Sequence, residues 1–77
     1  MVTEQNKDDV IETLYRKGVT QDKSEMLSAL KAMNFSDWDD NAFFDTVKAL
    51  TDENLISIRF RDFVFFTLNG IAVRKRF

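Results

Sequence analysis

The chain has no cysteine, no histidine and no proline, and only two glycines among its 77 residues. Without cysteine there is neither a disulfide framework nor a thiolate metal site. With histidine also missing, the familiar nucleophile–base pairs are unavailable, and no Ser or Thr stands in a recognisable nucleophile motif. No glycine-rich loop offers a cradle for phosphate. The lack of proline and scarcity of glycine leave few places for linkers, so one domain is expected. No run of about 18 apolar residues occurs, and nothing has the layout of a signal peptide. These absences exclude most catalytic chemistry and predict a non-catalytic domain with no cofactor, no small-molecule substrate and no membrane partner. A cytoplasmic place is expected, because small secreted domains usually carry covalent staples.

What is present is a globular composition, 44% hydrophobic and 31% charged, with eight Phe. The net charge of -2 is unevenly spread. Residues 1–54 hold six cations against twelve anions, whereas residues 55–77 hold Arg59, Arg61, Arg74, Lys75 and Arg76 against Asp62 alone. The two parts therefore present opposite fields to a partner.

Residues 1–7 read as a flexible lead-in to a domain over 8–77. From Asp8 to Lys17 the stripe Val10, Ile11, Leu14 and Tyr15 predicts a helix closed by Gly18. Asp22 or Ser24 offers a cap for a second helix carrying Met26, Leu27, Leu30 and Met33, and Asn34-Phe35-Ser36 makes the next turn. A third helix is expected from Asp37 to Glu53, capped by Ser36, with Phe43, Val47 and Leu50 on its buried face and Asn54 in the left-handed conformation at its end. The period then changes from 3.6 to 2, with Ile56, Ile58 and Phe60 inward and Ser57 and Arg59 outward. A two-residue turn at Arg61-Asp62 would pair Phe60 with Phe63, leaving Val64 and Phe66 outward. A longer turn would reverse the faces and expose Phe63 and Phe65. For residues 67–77, a terminal helix capped by Thr67 is preferred to a third strand turned at Asn69-Gly70.

Helix, helix, turn, helix and β-ribbon in that order make an α+β chain that resembles the winged-helix superfamily. The stretch Val47-Lys48-Ala49-Leu50-Thr51-Asp52-Glu53-Asn54-Leu55-Ile56 is similar to the end of the third helix in those domains and the opening of their wing. Thr67-Leu68-Asn69-Gly70-Ile71-Ala72-Val73 is similar to the passage from strand to helix after the wing in many winged-helix repressors. The resemblance implies a three-helix bundle with a C-terminal β-hairpin wing and a short terminal helix. By analogy alone it implies DNA-linked regulation.

In such domains the third helix commonly enters the major groove. Here that helix would display Asp37, Asn41, Asp45 and Asp52, with Lys48 as its only cation, so groove reading is not expected. Two functional expectations follow. The first is protein contact, with a partner or a second copy, through Trp38, Asn41, Phe44 and Asp45 on the acidic helix and through the outward pair Val64 and Phe66. The alternative is DNA held by the basic wing and tail, through Arg59, Arg61, Arg74, Lys75 and Arg76. Asp37, Asp39 and Asp40 lack the spacing of a calcium loop and read as cap residues.

Overall fold

A computed structural model describes residues 2–74 as four helices and three strands, in the order α1 (Glu4–Arg16), β1 (Glu25–Met26), α2 (Leu27–Asn34), α3 (Asp40–Asp52), β2 (Ile56–Arg59), β3 (Phe63–Phe66) and α4 (Leu68–Arg74). The antiparallel sheet runs β1-β3-β2, so the last strand in the chain is the central one. The fold is α+β. No helix among the described residues is long and apolar enough to cross a membrane.

Helix α1 starts at Glu4, four residues before the expected Asp8, because the Thr3 side chain accepts a hydrogen bond from the Asn6 N–H at 3.0 Å and caps it there. Val10, Ile11 and Leu14 are buried, whereas Tyr15 is exposed. Gly18, at φ +80°, reverses the chain so that the Val19 N–H reaches the Leu14 carbonyl. Asn54, at φ +60°, performs the same closure on α3, with the Leu55 N–H on the Leu50 carbonyl.

The cap of α2 is a correction. Neither Asp22 nor Ser24 supplies it, and Met26 at the cap position has no side-chain oxygen to offer. The acceptors come from the hairpin turn instead. The Leu27 N–H donates to the Asp62 carbonyl at 2.7 Å, the Ser28 N–H to Asp62 Oδ1 at 3.2 Å, and the Ser28 hydroxyl to Asp62 Oδ2 at 2.6 Å. An anionic group at a helix N-terminus satisfies orphan donors and meets the positive end of the macrodipole.

Helix α3 begins at Asp40 rather than Asp37, behind Asp39 and not Ser36. The preceding turn, closed by the Trp38 N–H on the Phe35 carbonyl, folds Phe35 and Trp38 onto Phe43. Phe43, Thr46, Val47 and Leu50 form the buried face, and the buried Thr46 hydroxyl donates to the Ala42 carbonyl at 2.7 Å.

The hairpin corrects the register. Arg59 pairs with Phe63, Ile58 with Val64, Ser57 with Phe65 and Ile56 with Phe66, leaving Phe60, Arg61 and Asp62 as the turn. The two-residue turn does not form, because Asp62 is drawn to α2. A side-chain period of two then reverses the second strand. Val64 and Phe66, expected outward, are core residues with relative exposures of 0% and 1%. Phe60, expected inward, stands at the tip. Phe63 and Phe65 share the outer face with Arg59 and Ser57, yet Phe65 is buried beneath the Arg59 guanidinium, 4.4 Å from its ring centre.

The short strand β1 is an addition to the expected elements. Glu25 pairs with Val64 and Met26 with Phe63. Helix α4 forms as preferred: the Thr67 hydroxyl accepts from the Gly70 N–H at 3.1 Å while donating to the Asn54 carbonyl. Gly70 is required there, since a Cβ on it would lie 1.9 Å from the Leu55 carbonyl oxygen.

Candidate interaction surface

Among the described residues, the tip of the β2–β3 hairpin is the most unusual part. Phe60 and Arg61 adopt φ of +54° and +70°, a region that costs an L-residue about 1–2 kcal/mol each. A bulky residue held there marks a conformation imposed by its surroundings. The imposing contact is Asp62, tied to α2 by three hydrogen bonds. As a result the Phe60 ring is 81% exposed, touching the Phe63 ring edge-on at 6.3 Å. Met26, beside Phe63 on β1, is 43% exposed. Arg59 flanks Phe63 on the other side, and Arg61 is exposed next to Phe60. The tip thus combines an aromatic ring, a flexible thioether and two guanidinium groups.

The exposed face of α3 has the opposite character. Asn41 and Asp45 are exposed, with Phe44 between them at 49% exposure and edge-on to the buried Phe43 at 5.2 Å. Asp37, Asp39 and Asp40 are exposed at the start. Lys48, the one cation of this helix, is held at 3.0 Å by Asp52. Lys31 on α2 lies beneath the first turn, donating to the Trp38 carbonyl at 2.7 Å and lying 3.7 Å from Asp40. Trp38 itself is half-buried, its ring 4.7 Å from that of Phe35, so it covers one end of the core and is no free anchor. Among the described residues no group of three acidic side chains, Asp37, Asp39 and Asp40 included, is placed to hold a metal ion.

Helix α2, about 12 Å long, touches both regions through Ser28 and Lys31. Its N-terminus receives Asp62 from the hairpin, and its C-terminus leads through Phe35 to the acidic start of α3.

No family model, curated protein or solved structure matches the chain.

Cavities also open on the surface of the described residues. A cleft of about 370 Å³ beside Arg59 is lined by Gln21, Asn54, Ser57, Thr67 and Asn69, with Leu68 exposed at its rim. A second, of about 240 Å³, lies between α1 and the end of α3 and contains Lys7, which donates to Glu53 at 2.8 Å and to Glu4 at 3.3 Å. Glu53 first, and Glu4 after it, hold the Lys7 ammonium above its ordinary range against the opposing effect of burial. That cluster ties α1 to α3 and is structural.

Of the expected site residues, the structure gathers Asn41, Phe44 and Asp45 on one face and Arg59 and Arg61 at the tip. Val64 and Phe66 move into the core. Arg74 closes α4, and Lys75 and Arg76 lie outside the described residues. Sequence reasoning missed Phe60 and Met26 as exposed residues. The available signal was Met26 at a helix start: a residue with no capping oxygen requires one from elsewhere.

Proposed function

We propose that this chain is a non-catalytic winged-helix regulatory module of the cytoplasm that acts through protein–protein contacts made by its wing. The element order α1-β1-α2-α3-β2-β3, with β3 central between β1 and β2, supports the winged-helix reading. One observation carries the functional reading. The Phe60 ring is presented to solvent on a strained backbone, beside Arg61 and against Phe63, by a turn anchored to α2. Aromatic and arginine side chains are the commonest energetic anchors of protein interfaces. A rigid turn lowers the ordering entropy lost on binding. The anionic surface of α3 disfavours duplex DNA, which binds through phosphate neutralisation.

A photoreactive benzoylphenylalanine in place of Phe60 tests this in the source cell. Crosslinking to protein is expected from position 60 and not from exposed position 16 on α1. A parallel titration with mixed-sequence duplex DNA at low salt is expected to show no salt-sensitive binding. Binding that falls with salt and is lost in Arg59→Ala/Arg61→Ala would overturn the reading in favour of a DNA-binding regulator using the wing with Arg74, Lys75 and Arg76.

A further inference from the structure

We infer that the wing tip of one copy docks on the acidic face of α3 of a second copy, in a head-to-tail contact. This rests on the wing being a protein-binding element and names its partner.

The first argument is charge complementarity. Arg59 and Arg61 carry the wing, whereas Asp45 and the first-turn aspartates carry α3. Among the described residues, Arg61, Asp37 and Asp45 make no ion pair, and Lys48 is already held by Asp52. Each surface also presents one exposed ring next to its charges, Phe60 on the wing and Phe44 on the helix. An aromatic pair ringed by opposite charges is the composition of an interface core with a polar rim.

The second argument is geometric. The Asp62 contacts hold the wing at the N-terminus of α2, whereas α3 follows the C-terminus of α2 and makes no bond to the wing among the described residues. The complementary surfaces are therefore free to meet between chains. A contact between two different patches is heterologous and does not close at two copies. It grows into a ring or an open series.

Sedimentation at several protein concentrations reads this directly. The parent is expected to associate beyond a dimer between about 10 μM and about 1 mM at low ionic strength, and to dissociate as salt is raised. Two double variants separate the surfaces: Phe60→Ser/Arg61→Ser disables the wing, and Phe44→Ser/Asp45→Ser disables the helix. Each alone should associate at least about tenfold more weakly than the parent. Mixed in equal amounts they should form a complex of two chains that grows no further, because one keeps an intact α3 and the other an intact wing. All four positions are exposed, and circular dichroism checks that each variant folds. If a double variant does not fold, Arg61→Ala and Asp45→Ala replace the pair.

A parent that stays monomeric overturns the inference. So does a mixture that stays monomeric, or a dimer unaffected by both variants. Duplex binding by a monomeric parent would remove the protein-contact reading as well. A monomeric parent without duplex binding removes only the second copy as partner.

Discussion

At the acidic end of α2, Phe35, Trp38 and Phe43 turn their rings toward one another and into the core, and carboxylates occupy the surface. At the basic end, a phenylalanine stands in water on a left-handed backbone while the carboxylate of Asp62 turns inward to a helix terminus. The first arrangement follows local preference throughout: apolar side chains at helical spacing go in, and acids gather where the dipole favours them. The second violates it twice, with an exposed ring and positive φ. Strain of this kind persists only where other contacts over-determine it, and here those contacts are identified. The comparison teaches that the acidic end is shaped by local preference, and that the hairpin tip is shaped by the long-range contacts of Asp62 with α2.

The sharpest way to break this contrast is to test which phenylalanines are core. Phe66→Ala should lower stability by about 3–5 kcal/mol in urea unfolding, because the side chain is fully buried opposite Ile56. A loss under about 1 kcal/mol would mean that the strand faces the other way. Next in size is Asp62→Ala, which removes both side-chain bonds to Ser28 and should cost about 1–2 kcal/mol. The same variant should loosen the tip, seen as faster amide exchange at Phe60 and Arg61. A smaller effect of opposite sign is expected for Phe60→Gly: relief of the left-handed conformation should leave the domain more stable by about 0.5–1 kcal/mol. Stability gained while association is lost would set the tip apart from every core phenylalanine. The smallest effect lies away from both ends. The stabilisation from Lys7 with Glu53 should be fully present below about pH 10, the range of a free lysine, and disappear as pH climbs through the elevated native value. The difference in thermal midpoint between the parent and Lys7→Gln should then shrink only in strongly alkaline solution.

Much of this molecule was legible residue by residue. The stripe Val10, Ile11 and Leu14, the buried face Phe43, Val47 and Leu50, the closures at Gly18 and Asn54, and Thr67 at the start of α4 each depend on neighbours within about five positions. The exposed acids of α3 were legible for the same reason. The site was less so. Phe60 and Arg61 carry no mark of left-handed backbone, which Gly, Asn or Asp usually signals. Val64 and Phe66 alternate as well in either register. Two-residue β1 is too short to show a period, and its pairing with β3 spans almost forty positions.

The chain alone determined which segments are helix and ribbon, where three of the turns fall, and how charge divides between residues 1–54 and 55–77, since these are sums over local preferences and composition. Only the tertiary structure decided the length of the hairpin turn, and with it which phenylalanines are core and which meets solvent. The physical reason is a single long-range demand. The N-terminus of α2 follows a methionine that cannot cap it, the carboxylate that meets it in space is Asp62, and meeting that demand lengthens the turn by one residue and turns Phe60 outward.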